Sequence, residues 1–221
     1  EFNDKPTLLP NDGDIYYPTC LHLFENILFV GTAGKNYLST INVYDISNIK
    51  NIQLISTKIL NSDKSKNPSS IIYFRNKILV TYFLKNTYEV FELKKDFSIH
   101  KAIKNDNSII NSPLSSIIFN DKILIISHYK NSIFSLDKLL IDKDHCIRTI
   151  KMQGEKLDSP WGICKDNKYI YLANLGINKN QPPFICKISQ IKDNIFYSER
   201  LITNKEINVG SGFTQLRYLK S

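Results

Sequence analysis

The sequence predicts an all-β protein, a β-propeller of four-stranded blades with about four blades and one extra strand visible. Three observations carry that prediction. Prolines recur at Pro18, Pro68, Pro113 and Pro160, spaced 50, 45 and 47 residues apart. The segments they open align without a gap: PTCLHLFENILFVGT, PSSIIYFRNKILVTY, PLSSIIFNDKILIIS and PWGICKDNKYIYLAN. Each unit of about 45 residues then holds four short runs rich in Ile, Val, Tyr and Phe between turn residues, which is the pattern of a blade.

The elements follow in order. Ten residues after each proline stands an apolar residue: Leu28, Ile78, Ile123 or Ile170. Just before it lie polar pairs, Glu25-Asn26, Arg75-Asn76, Asn120-Asp121 and Asn167-Lys168. Asn and Asp tolerate the left-handed conformation of a tight hairpin, so strands one and two are predicted on either side of these pairs. Third strands are expected at 40–46, 87–93, 132–136 and 184–189, and fourth strands at 52–59, 98–103, 147–152 and 195–202. The best helical candidate, 136–143 (LDKLLIDK), is about two turns long and falls in a loop between strands three and four.

The units therefore run over about 18–60, 68–103, 113–152 and 160–202 of one propeller domain or fragment spanning 1–221. Residues 203–221, with a strand expected at 213–219, start a further unit or close the ring, and one short strand is expected around 5–9. One four-stranded sheet cannot bury both its faces alone, whereas stacked blades bury them mutually. A β-sandwich would explain the strands but not their recurrence. Four units fill less than the usual ring, and the chain begins Glu1-Phe2 without a methionine. The expectation is a processed or truncated piece whose partner is the remainder of a longer propeller chain.

Composition narrows the function classes. Lys and Arg number 29 against 21 Asp and Glu, a net charge of +8. The lysines are scattered through turns and strand ends with no run of five, so a nucleic-acid face is disfavoured. A basic module for anionic polymers stays as a third reading, marked by steep salt dependence. No run approaches the roughly 18 uncharged apolar residues of a membrane helix. Cys20, Cys146, Cys164 and Cys186 show no CxxC spacing. They are read as buried thiols ahead of two disulfides.

Two segments carry a family resemblance. SPWGICKDNKYIYLANLGINK (159–179) resembles the NHL propeller repeat and the wider six-bladed group, with Pro160, Gly162, Tyr171, Ala173, Gly176 and Asn178 in matching places and Asn174 where an aspartate is usual. INVYDISNIKNIQLIS (41–56) is similar to the LVIVD repeat of bacterial extracytoplasmic propellers through Val43, Asp45, Ser47 and Asn48. The resemblance implies the fold and a lean towards an extracytoplasmic location. It implies little about activity.

Candidate site residues come from the end of strand two, where Thr32, Tyr82, Ser127 and Asn174 recur as a polar ring beside His128. The ring resembles that of six-bladed lactonases and gluconolactonases, which hold a divalent metal with Glu, Asn and Asp. Calcium prefers several carboxylate and carbonyl oxygens, and this ring has no acid, so it is read as a metal-free polar channel. The histidines His22, His100, His128 and His145 lack metal-ligand spacing. His22 takes the place of Ile72, Ile117 and Cys164 and is read as a satisfied core or channel imidazole. Trp161, the sole tryptophan, is a recognition anchor if exposed and blade packing if buried. With the loop 174–183 (NLGINKNQPP), the predicted binding set is Trp161, Asn174, His128, Tyr82, Thr32 and Ser127. No catalytic residue, metal ligand or cofactor is assigned. The leading function is a non-enzymatic scaffold for a protein partner or small ligand, and the alternative is a hydrolase or lactonase with a metal in the channel.

Overall fold

A computed structural model describes residues 17–33, 39–60, 67–105, 110–137, 147–177 and 182–203. The chain divides into two compact units, Glu1–Lys104 and Asn105–Ser221, and in each the described strands form two antiparallel blades. The first unit holds β1 (Tyr17–Phe24), β2 (Ile27–Ala33), β3 (Ser39–Asp45) and β4 (Gln53–Leu60), then β5 (Pro68–Phe74), β6 (Lys77–Tyr82), β7 (Thr87–Leu93) and β8 (Ile99–Asn105). Both sheets run in simple sequence order. The second unit begins with β9 (Pro113–Phe119), β10 (Lys122–Ser127), β11 (Ser132–Asp137) and the short β12 (Ile147–Thr149). It ends with β14 (Pro160–Lys165), β15 (Ile170–Asn174), β16 (Phe184–Lys192) and β17 (Ile195–Thr203), joined at the edge by β13 (Lys151–Gly154). This is the all-β, four-stranded blade architecture of a propeller.

The repeated prolines mark one structural event. In every blade the register between strands one and two slips at the proline. Proline has no N–H to give to a ladder, so it is tolerated as the first residue of a strand beside a bulge. In blades one and two the following hydroxyl completes the pairing: Thr19 Oγ1 donates to the Gly31 carbonyl at 3.1 Å, and Ser69 Oγ to that of Thr81 at 3.1 Å. Leu114 and Trp161 hold that place in blades three and four and have no hydroxyl to offer. The hairpin turns use left-handed Glu25, Arg75, Asn76 and Asn120. Blade four turns differently, with Asp166 Oδ1 accepting the Lys168 and Tyr169 amides at 2.7 and 2.6 Å.

Each unit has its own core. Phe29, Ile41 and Val43 of blade one pack with Ile71, Ile78, Val80 and Tyr82 of blade two. Phe119, Leu124, Ile126 and Ile133 of blade three pack with Ile163, Ile170, Leu172, Phe184 and Phe196 of blade four. Second strands are buried along nearly their whole length, as expected where both sheet faces are covered. Each fully buried Ile or Phe contributes roughly 1.5–3 kcal/mol. Gly31 sets the spacing in the first unit. A Cβ there would lie 2.6 Å from Cys20 Sγ and 3.0 Å from Pro68 Cβ.

One element departs from the expected repeat. The run 147–152 was predicted as a single fourth strand, but it divides at Ile150. Residues 147–149 pair with β11, whereas β13 pairs in parallel with β17 of the next blade. The Ile150 amide donates to Ile133 and the Lys151 amide to Asn194, each at 2.9 Å, so the ladder changes partner between adjacent residues. A short strand thus straps blade three to blade four.

Residues 138–143 of the helical candidate, the strands expected at 5–9 and 213–219, and 178–181 of the long loop lie outside the described residues; 136–137 finish β11. Among the described residues no helix is long and apolar enough to cross a membrane. Cys20, Cys164 and Cys186 are free thiols.

Candidate functional site

In the second unit the loops at the end where strand two finishes and strand three begins are built on a recurring turn. Ser112 and Ser159 each precede a blade's proline and adopt left-handed backbone, φ 51° and 53°. Their carbonyls accept the amides that follow strand two: His128 to Ser112 and Leu175 to Ser159, both at 3.1 Å. The side chain ending strand two reinforces the link. Ser127 Oγ donates to the Asn111 carbonyl, and Asn174 Oδ1 accepts the Asp158 amide at 3.1 Å. Asn174 Nδ2 donates to the Leu172 carbonyl at 3.3 Å. Ser127 and Asn174 are fully buried. They brace the segment leading into strand one, which is the physical reason polar residues recur there.

The other two ring residues belong to the first unit. Thr32 Oγ1 and Thr40 Oγ1 share a hydrogen bond of 2.7 Å. Asn42 Nδ2 donates to Thr40 Oγ1, and Thr57 Oγ1 donates to Asn42 Oδ1. The result is a polar ladder across three strands. Tyr82 is buried, and its hydroxyl donates to Glu89 Oε2 at 2.7 Å. Burial first, and the Glu89 carboxylate second, push the Tyr82 phenol well above its ordinary range, so it stays a proton donor. Glu89 was not singled out in the sequence. Its signal is the inward position of an acid in the alternating run TYEVFEL.

His128 and Trp161 do come together. The His128 ring is buried, with Nδ1 3.1 Å from the Pro160 carbonyl, and meets Trp161 edge-on with centroids 5.3 Å apart and planes at 87°. Tyr129 also stands edge-on to His128, at 5.0 Å, and is 64% exposed. Edge-to-face rings at such distances gain about 0.5–1.5 kcal/mol beyond their burial. The turn beneath is fixed by Asn131 Oδ1, which accepts the Ser159 amide at 2.6 Å. Tyr129 and Trp161 are therefore aromatic surface on a rigid base.

Asp158 is the buried acid that sequence reasoning passed over. Its Oδ1 accepts Ser159 Oγ at 3.2 Å, and its carbonyl accepts the amide of Gly176, which has φ 75°. The signal was present: Asn111-Ser112-Pro113 and Asp158-Ser159-Pro160 are the same tripeptide pattern one blade apart.

Elsewhere in the second unit an open cavity of about 450 Å3 lies beside β13 and β17, lined by Gly154, Glu155, Lys156, Tyr197, Ser198, Glu199 and Arg200. Arg200 pairs there with Glu155 at 2.9 Å. Among the described residues no three His, Cys, Asp or Glu side chains gather as a metal-binding group. Burial raises the thiols of Cys20 and Cys186 to about 12 and that of Cys164 to about 11, so none is a ready nucleophile.

No protein-family model matches the chain, and no curated protein matches it in sequence. Solved structures do resemble it. A protein from Lactobacillus plantarum superposes with a TM-score of 0.63 at 13% identity, over 85% of this chain and 56% of its own. A candidate 6-phosphogluconolactonase from Bacteroides uniformis gives 0.61 at 14%, over 84% and 57%. A chain of the nidogen/laminin complex gives 0.56 at 12%, over 80% and 61%. The chain spans little more than half the length of these proteins, and at such identities the likeness establishes the fold alone.

Proposed function

We propose that this chain is a non-enzymatic recognition scaffold, a propeller domain or part of one whose loop end in the second unit holds a protein partner or a small ligand. The observation that carries the reading is the row Tyr129, His128 and Trp161. An exposed tyrosine and a half-buried tryptophan are locked through a buried imidazole onto a turn fixed by Asn131. Aromatic groups held rigidly on a surface lose little entropy on binding and are enriched among interface hot spots. The polar residues at the strand ends favour the same reading, because their hydrogen bonds are spent inside the fold: Ser127 and Asn174 on backbone groups, Thr32 on Thr40 and Tyr82 on Glu89. We assign the blades to the NHL and LVIVD repeat types. In support, Pro160 and Gly162 flank the bulge of β14, Gly176 takes a left-handed turn, and Asp45 Oδ1 caps the turn after β3 by accepting the Ser47 amide at 2.8 Å.

The test is selection of peptides from a displayed random library, with affinity read by the fluorescence anisotropy of the dye-labelled peptide. Selected peptides should lose about tenfold or more in affinity, about 1.4 kcal/mol, in Tyr129→Ala and Trp161→Ala. They should be unaffected by Ile49→Ala on an exposed turn of the first unit. A calcium- or zinc-induced rise in melting temperature that vanishes in Asn174→Ala or His128→Ala would overturn the reading in favour of a metal-dependent hydrolase.

A further inference from the structure

We propose that the partner of the loop end is an acidic peptide segment, which rests on the reading of that end as a recognition surface. The peptide is held by an exposed apolar residue and the lysine beside it, at the turn between strands two and three. Among the described residues the device occurs once in each unit. In the first unit the turn is Phe83-Leu84-Lys85-Asn86, and in the second it is His128-Tyr129-Lys130-Asn131. Asn86 and Asn131 both take left-handed backbone, φ 54° and 50°. The two residues before each asparagine are exposed, Leu84 at 59% with Lys85 and Tyr129 at 64% with Lys130. In the second turn the Asn131 amide donates to the His128 carbonyl at 3.4 Å. Tyr129 and Lys130 are therefore its two corner residues.

The same dipeptide recurs in the sequence of all four blades. Lys35-Asn36, Lys85-Asn86, Lys130-Asn131 and Lys179-Asn180 are spaced 50, 45 and 49 residues apart, each between strands two and three. The first and last pairs lie outside the described residues and contribute by sequence alone. The asparagine has a structural reason, since it tolerates the left-handed conformation that closes the turn. Nothing in the turn requires Lys130 to be charged. Its carbonyl accepts Ser132 Oγ at 2.8 Å, while its ammonium meets no acid or acceptor among the described residues. A charge that the fold does not use is available to a partner.

Charge fixes the sign of the partner. In the described loops at this end of the second unit (110–113, 127–132, 157–161 and 174–177), Asp158 is the one acid, and it is fully buried with Ser159 on its carboxylate. Lys130 is the exposed charge. In the first unit the acid nearest the turn in sequence, Glu89, is likewise buried and accepts the Tyr82 hydroxyl. A lysine at such a tip favours carboxylates and rejects like charge, and the net charge of +8 adds long-range attraction. A nucleic acid fits less well, because a strand with a phosphate at every nucleotide calls for a track of cations. Each described turn offers instead one lysine beside one apolar side chain. An extended peptide advances roughly 3.3–3.6 Å per residue, so an acid within about two residues of an apolar side chain matches that spacing.

The test sequences the peptides that the wild-type chain and a Lys85→Gln/Lys130→Gln double variant each select from a displayed random library. Wild-type selections should gain Asp and Glu by about twofold or more over the starting library. The double variant should lose that gain at an unchanged melting temperature. A selected peptide remade with amides in place of its acids should bind the wild type about threefold to fivefold more weakly, and the double variant no differently. Its acidic form should bind the wild type less well as salt rises. Selections no more acidic than the library, with affinity still lost in Tyr129→Ala, would overturn the acidic partner and leave the scaffold reading standing. Failure to select any peptide would overturn both. Tighter binding of a dye-labelled oligothymidylate than of every selected peptide would overturn the proposal in favour of a nucleic acid.

Discussion

Single residues carry their consequences through backbone conformation, hydrogen bonding and desolvation. Gly154 has φ 84°, and a Cβ there would stand 2.2 Å from the Ser198 carbonyl oxygen. Gly154→Ala therefore combines left-handed strain with a backbone clash, and chemical denaturation should show a loss of about 1–3 kcal/mol. Tyr82→Phe removes the hydroxyl that Glu89 accepts inside the first core and should cost about 1–3 kcal/mol in the same measurement. His22 is held neutral by desolvation, its pKa pushed below the ordinary 6.5. The unfolded chain then binds the proton more readily than the folded one. Stability is full above pH 6.5 and is lost as pH falls below that value towards the folded pKa. His22→Ile, which installs the residue found at position 72, should flatten this acid-side decline in melting temperature between pH 7 and pH 5. An unchanged slope would contradict the desolvation of His22.

At the scale of elements, the strap formed by β13 and the β16–β17 turn ties blade three to blade four. Asn194 Oδ1 accepts Lys122 Nζ at 2.8 Å and Ser135 Oγ at 3.0 Å, while its carbonyl accepts the Lys151 amide. Lys122 also pairs with Asp193, and Asn120 Nδ2 donates to Gln190 Oε1 at 2.8 Å. Asn194 has φ 55°. Asn194→Gly keeps that conformation and isolates the loss of the side-chain bonds, expected at about 1–2 kcal/mol. Asn194→Ala should lose about 1 kcal/mol more through left-handed strain. Equal effects in a urea titration would mean that the side-chain bonds, not the left-handed turn, set the stability. The strands themselves were legible because period, proline and turn residues coincide in each unit. The change of partner at Ile150 was not legible, because a continuous strand and a strand that switches ladders have the same local pattern.

For the whole molecule, each described core holds a thiol, Cys20 packed partly buried against the first and Cys186 buried in the second. Both should resist an aromatic disulfide reagent in native buffer at pH 8 and react once denaturant opens the unit that contains them. Native-state reaction at the rate of a free thiol would contradict the packing. The polar strand ends show how far a site could be read. Thr32, Tyr82, Ser127 and Asn174 were found from recurrence alone. Recurrence cannot distinguish a residue facing a ligand from one bracing a turn, since both are polar and occupy one place. Asp158 and Glu89 escaped notice because neither recurs as an acid at its repeat position.

The sequence by itself determined the blade architecture, the phase of the repeat and the position of its hairpins. Those follow from local rules: where proline withholds an N–H, where Asn takes left-handed backbone, and which side chains suit a sheet covered on both faces. Tertiary structure decided which polar groups are committed to the backbone, that β13 belongs to the neighbouring blade, and that Tyr129, His128 and Trp161 form one aromatic row. It also distinguished Leu21 from Ile71 and Ile163, residues equivalent in the repeat but unlike in burial. Burial depends on what packs against a face, and a residue's neighbours in sequence do not specify that.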